Sequence, residues 1–116
     1  MLEVYGIKNC STVRKALSWL ENNKVKYNFH DFKKEGLDEK KFGEWTGKKD
    51  WQIIINKNGH TWRSLDERSK EKIIDQESAA KIAVLNPSII KRPVIEFKNK
   101  LLVGFDEELF KKTFIK

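Results

Sequence analysis

Leu2-Glu3-Val4-Tyr5-Gly6-Ile7, then Lys8-Asn9-Cys10, then Ser11-Thr12-Val13-Arg14-Lys15-Ala16-Leu17-Ser18-Trp19-Leu20 is the stretch on which the reading of this chain turns. Residues 2–7 are strand-forming. Val13, Ala16, Leu17 and Leu20 recur at i, i+3, i+4 and i+7, which predicts an amphipathic helix over 12–23, with Trp19 flanking the stripe. Cys10, the single cysteine, sits where the strand hands over to the helix. A helix N-terminus offers unpaired N–H groups and partial positive charge, and both favour a thiolate. A thiol placed there can fall from a pKa of ~8.5 toward ~3.5–7.5, and the thiolate is the nucleophilic form. A lone cysteine also reads as a small buried hydrophobe; its position makes Cys10 a candidate nucleophile.

Beyond that helix, Val25-Lys26-Tyr27-Asn28-Phe29 alternates as a second strand, and strand–helix–strand at this length implies a right-handed unit with parallel strands. The middle is predicted to be mostly helical. Asp38 is an N-cap for a helix carrying Phe42 and Trp45. Trp51, Ile54 and Ile55 share a face of a short helical turn, and Asn58-Gly59 marks a turn. Helices are expected near 66–74 and 77–85, the second ending at Asn86-Pro87. Residues 93–97 and 101–103 then form a β-hairpin, and Asp106 caps a last helix with Glu107 and Glu108 in its first turn. The order β-α-β, helical block, β-β-α predicts an α/β protein with a four-stranded mixed sheet, the thioredoxin or glutaredoxin arrangement. One domain over 1–116 is expected, its core at 1–33 and 87–116 and its helical insertion at 34–86.

Hydrophobic residues make up 39% and charged residues 35% of 116, a globular balance. No apolar run approaches the ~20 residues of a membrane span. The first residues lack a basic region followed by an apolar one, which points away from secretion. A single cysteine excludes an intrachain disulfide and suits a reducing compartment, so the cytoplasm is the expected location. The net charge is +7, but the lysines are scattered among acidic residues. That pattern describes a solvated surface better than a nucleic-acid-binding face. His30 and His60 have no partner at ligand spacing, so no metal is expected.

The segment from Tyr5 to Ala16 resembles the active-site segment of the ArsC-type arsenate reductase and Spx superfamily. The family's Cys-x-x-x-Arg appears as Cys10 and Arg14. Its Arg-Pro element appears in Ile89-Ile90-Lys91-Arg92-Pro93-Val94. The resemblance continues through Asn56-Lys57-Asn58-Gly59-His60-Thr61-Trp62-Arg63 to Leu102-Val103-Gly104-Phe105, so it spans essentially the whole chain. It is strongest to a subgroup of small ArsC-related proteins proposed to be glutathione-dependent thiol reductases. It implies a thioredoxin-like fold with a helical insert, Cys10 as the catalytic residue, and a cis Pro93 beside it. Arg92 would point at the anion that Cys10 attacks, and Arg14 would help to bind it. Ser11 and Thr12 would cradle the anion, although both also read as simple helix caps. Asn9, Asn56, Trp62, Arg63 and Gly104 are candidate site-lining residues.

The chain departs from that family in ways that bear on substrate. ArsC-type enzymes bring three arginines to the arsenate adduct, and only Arg92 has a clear match. The other two positions fall at Asn56 and near Gly104, and the family's histidine four residues before the cysteine is Gly6. Each lost arginine–oxyanion contact costs ~1.5–3 kcal/mol, which weighs against arsenate. Many Spx-type regulators carry Cys-x-x-Cys as a redox switch, but here the second position is Val13. The resemblance therefore implies a thiol-dependent oxidoreductase. Its mixed disulfide on Cys10 would be resolved by glutathione as co-substrate or by glutaredoxin, with no tightly bound cofactor. An Spx-like regulator binding the RNA polymerase α subunit, or an arsenate reductase with an altered pocket, is the alternative.

Overall fold

The computed structural model describes residues 2–115. In chain order the elements are β1 (Leu2–Gly6), α1 (Ser11–Asn22), β2 (Tyr27–Asp31), α2 (Phe32–Glu35), α3 (Glu39–Thr46), α4 (Trp51–Ile54) and α5 (His60–Ser64). There follow α6 (Glu67–Lys72), α7 (Gln76–Leu85), a 3-10 turn (Pro87–Ile89), β3 (Val94–Phe97), β4 (Lys100–Val103) and α8 (Glu107–Phe114). Contacts divide the chain into two compact units, Met1–Asp31 with Arg92–Lys116, and Phe32–Lys91.

The first unit holds a four-stranded mixed sheet in the order β2-β1-β3-β4. β2 runs parallel to β1, while β3 is antiparallel to both β1 and β4. This is the thioredoxin-like arrangement. Because side chains alternate along a strand, Leu2 and Val4 face the same side as their neighbours Ile95 and Leu102. That side packs on Ala16, Trp19 and Leu20 of α1 and Phe110 of α8 in one buried cluster. The other side carries Glu3, Tyr5, His30 and Glu96. His30 Nε2 lies 2.8 Å from Glu3 Oε1, its ring stacks on Tyr5 at 4.5 Å between centroids, and the Tyr5 hydroxyl donates to Glu96 at 3.3 Å.

The second strand begins two residues later than the alternation predicts. The N–H groups of Lys24 and Val25 still bond back to Glu21 and Leu20 of α1, and Lys24 adopts a left-handed φ of 58°. The ladder therefore starts at Tyr27, opposite Leu2. The expected last helix forms as read: the Asp106 carboxylate accepts the Leu109 N–H at 3.2 Å, with Lys111 and Lys112 in its final turn.

In the helical unit, the Asp38 carboxylate accepts the Lys41 N–H at 2.7 Å and caps α3, whose Phe42 and Trp45 are buried. The small residues Ala79 and Ala83 of α7 are also fully buried, and α7 packs against α3. Ile55 does not stay on the α4 face with Trp51 and Ile54. It turns to extended backbone and forms an isolated antiparallel bridge with Ile90. The Asn56 N–H donates to the Ile89 carbonyl and the Lys91 N–H to the Ile54 carbonyl, both at 2.8 Å. Two short segments far apart in sequence satisfy each other there, and neither is long enough to show a period. The helix expected near 66–74 ends at Lys72.

Candidate active site

The strand register brings the candidate residues of the sheet unit to one end of the sheet. Tyr5, near the end of β1, pairs with Val94, the first residue of antiparallel β3. Arg92 and Pro93 immediately precede Val94, so they emerge at the end where β1 finishes. Val94 in turn pairs with Val103 of β4, which puts Gly104 at that same end. The Gly104 N–H donates to the Pro93 carbonyl at 2.8 Å, and the Arg92–Pro93 bond is cis.

Between β1 and α1 the chain makes a tight turn. The Cys10 N–H donates to the Ile7 carbonyl at 3.2 Å, and the Cys10 carbonyl accepts from the Arg14 N–H at 3.0 Å, opening the helix. Cys10 is thus the N-cap of α1, with φ −106° and ψ 124°, and its side chain makes no capping hydrogen bond. The thiol is half-buried. That burial pushes its pKa up, but the Val13 N–H, the Arg92 guanidinium (as donor and as charge) and the Thr12 N–H together pull it below the ordinary thiol value. No acidic residue occupies the first turn of α1 to oppose this. A partly accessible thiol with an adjacent cation and oriented N–H groups is the setting that activates cysteine. Thr12 is half-buried, whereas Asn9, Ser11 and Arg14 are exposed.

Two departures noted in the sequence have physical causes. At Gly6 a Cβ would come within 2.9 Å of Val13 Cγ2. A histidine, like any residue with a Cβ, can enter there only if the Val13 side chain or α1 gives way. Gly104 has φ +84°, a conformation that strains any L side chain, so an arginine at that position would be costly.

Asn56, Trp62 and Arg63 belong to the helical unit. Asn56 spends its side chain on the local turn, where Oδ1 accepts the Asn58 N–H at 3.1 Å, an Asx-turn bond. Trp62 is not core as a tryptophan usually is. It is half-buried and lies 5.3 Å from the Lys57 ammonium, which also sits 5.5 Å from the Trp51 ring. Arg63 is exposed in the last turn of α5.

Some site features were not read from the sequence. Lys15, Ser18, Asn22 and Glu107 line a groove with Ser11 and Arg14. Their signal is the polar stripe of α1 opposite its apolar one, which resembles any solvated helix face. Among the described residues, no cluster of three His, Cys, Asp or Glu side chains could hold a metal. Among the same described residues, no helix is long and apolar enough to cross a membrane.

Comparison with known proteins follows the same lines. The ArsC family profile matches residues 5–113. An uncharacterised protein of Haemophilus influenzae is 40% identical over 98% of this chain and 99% of its own length. The global transcriptional regulator Spx 2 of Bacillus anthracis is 25% identical over 97% of this chain and 86% of its own. Among solved structures, an arsenate reductase (ArsC) related protein from Brucella melitensis superposes with a TM-score of 0.77 at 39% identity. That match covers 99% of this chain and 95% of the Brucella chain.

Proposed function

The chain belongs to the ArsC family, and from that premise we propose that it is a one-cysteine thiol reductase whose reducing equivalents come from glutathione or glutaredoxin. The observation that carries this reading is the Cys10 thiol, lowered against the pull of its own burial by the Val13 and Thr12 N–H groups and Arg92. The Cys10 thiolate attacks one sulfur of a disulfide. A bond forms from Cys10 to that sulfur, the substrate's S–S bond breaks, and the other half leaves as a thiolate that takes a proton from water. No second cysteine exists to resolve the mixed disulfide, so an external thiolate attacks its non-protein sulfur and Cys10 departs as thiolate. A second attack pair in the reducing direction completes the cycle, with two external thiols oxidised for each disulfide reduced. Thr12 and the α1 N-terminus stabilise the thiolate, and Arg14 and Arg92 bind anionic groups of the substrate.

Mass measurement after incubation with oxidised glutathione tests this. One glutathionyl group on Cys10, absent from Cys10→Ser, is expected. An unmodified protein, together with an ordinary thiol titration near pH 8.5, would sink it.

The similarity to Spx regulators over nearly the whole chain favours a second reading, a binding module for the RNA polymerase α subunit. Retention on the C-terminal domain of that subunit, unchanged in Cys10→Ala, would support it over the enzymatic one. The left-handed backbone at Gly104, which disfavours an arginine there, and the turn role of Asn56 weigh against arsenate as substrate. Absence of arsenate turnover with glutathione and glutaredoxin supplied is the expected result.

A further inference from the structure

Helix α7 is apolar on two sides. Ala79 and Ala83, one turn apart, are fully buried, and α7 packs against α3. A second row, Ser78, Lys81, Ile82 and Leu85, recurs at i, i+3, i+4 and i+7 and forms another stripe along the helix. With Ser69, Lys72 and Ile73 at the end of α6, this row lines an open groove of about 250 Å³. Ile73 is buried and Ile82 half-buried, while Leu85 is 77% exposed and Ile74, next in the chain after Ile73, is 73% exposed. Leu85 and Ile74 are the most exposed large apolar side chains among the described residues. An apolar patch of this kind, rimmed by polar residues, marks an interaction surface.

Size and chemistry narrow the occupant. The groove falls below the ~300–1,000 Å³ that small-ligand sites use, so it has room for side-chain anchors more than for a cofactor. Its serines serve the helix caps. The Asp66 carboxylate accepts the Ser69 N–H at 2.7 Å. The Ser78 hydroxyl donates to the Asp75 carboxylate at 2.7 Å and accepts the Ile74 N–H at 3.0 Å. No strand edge borders the groove, because the elements between Phe32 and Lys91 are helical apart from the Ile55–Ile90 bridge. An extended peptide would find few backbone partners there, whereas a helix bonds its own backbone.

The charged lining residues are Lys72 from α6 and Lys81 from α7, with no carboxylate among the lining residues. Lys72 is in no ion pair among the described residues. Lys81 has Glu77 at 3.7 Å, but both side chains are exposed, and such a pair holds weakly. Asp66 and Asp75 feel these lysines only as nearby charges. A concave site with a lysine from each helix suits a single narrow acidic segment. A broad anionic surface would also meet the exposed Glu67, Glu71, Asp75 and Glu77 of the same stretch.

We propose that the α6–α7 groove docks an acidic amphipathic helix of another protein. Apolar side chains three or four apart on that helix fill the groove against Ile73, Ile82 and Leu85, and carboxylates flanking them meet Lys72 and Lys81. Every residue of the site belongs to the unit Phe32–Lys91, and none takes part in the thiol chemistry of Cys10.

The probe is a displayed library of random peptides of about 16 residues, roughly four helical turns, panned on the full-length protein. Enriched sequences are expected to carry apolar residues three or four apart between Asp or Glu. Synthesised and titrated by NMR, such a peptide should perturb the methyl groups of Ile73, Ile82 and Leu85. Its Kd should rise at least ~tenfold in Leu85→Ser and about tenfold in Lys72→Glu/Lys81→Glu. Replacing the peptide's acidic residues by Lys should restore affinity for the charge-reversed variant. Ile53→Ser, at an exposed aliphatic position elsewhere, should leave Kd unchanged. Panning that yields no acidic amphipathic consensus, or affinity that Leu85→Ser and the charge reversal leave unchanged, overturns the proposal. Sedimentation showing self-association that Leu85→Ser abolishes would give the groove to a second copy and overturn it. Binding to phosphatidylglycerol vesicles lost in the same variant would give it to a membrane, with the same consequence.

Discussion

At Cys10, burial and charge act in opposite directions, and the neighbouring donors decide the outcome. Arg92 contributes both as hydrogen-bond donor and as charge, so Arg92→Gln should raise the thiol pKa. Alkylation by iodoacetamide at neutral pH should slow by on the order of tenfold. Thiolate absorbance against pH, and the alkylation rate, check both. The linkage sign follows from the lowered value. The folded state binds fewer protons than the unfolded one between the two pKa values, so stability rises with pH through that window. Cys10→Ser should abolish that slope in denaturant titrations. Glu3 behaves similarly at lower pH. Its carboxyl is held below the ordinary value chiefly by the His30 hydrogen bond, against the opposing effect of burial. Its contribution is present above the unfolded carboxyl pKa and lost as pH falls through the folded one. His30→Ala should cost about 0.5–1 kcal/mol near neutral pH, as for a partly exposed pair, and flatten the acid limb of the stability profile. An unchanged acid limb would contradict the assignment.

Among the elements, the connection from β4 to α8 constrains the site most. Gly104 combines a φ of +84° with an N–H bonded to the Pro93 carbonyl. Gly104→Ala should therefore destabilise by about 1–2 kcal/mol, read as a lowered denaturation midpoint. Because the same bond ties β4 to the Arg92–Pro93 segment, the variant should also slow Cys10 alkylation. Helix α1 has a different logic. Its apolar stripe is legible from spacing alone, since Val13, Ala16 and Leu20 are all fully buried. Its polar stripe lines an open groove together with Phe105 and Glu107, a neighbourhood that spacing along the helix does not show.

For the whole sheet unit, the core joins β1, β3, β4, α1 and α8 through Phe110, which is fully buried and meets Trp19, Phe105 and Phe114 edge-on. Phe110→Ala should cost about 3–5 kcal/mol, measured by urea denaturation, and a loss below ~1 kcal/mol would argue that the cluster repacks. Local patterns wrote much of this architecture into the sequence. The 3.6-residue stripe of α1, the capping aspartates Asp38 and Asp106, and the lone cysteine at a strand–helix junction each depend on residues close in the chain. The start of β2, the Ile55–Ile90 bridge and the role of Asn56 were not legible, because they depend on how a helix end closes or on pairings between distant segments. So the sequence by itself determined the order of elements, the family and the place of the single cysteine at a strand–helix junction. Only the tertiary structure decided what surrounds that thiol. The β1–β3–β4 register carries Arg92, Pro93 and Gly104 to its end of the sheet, and hydrogen bonds and charges between distant segments act only once those segments are brought together.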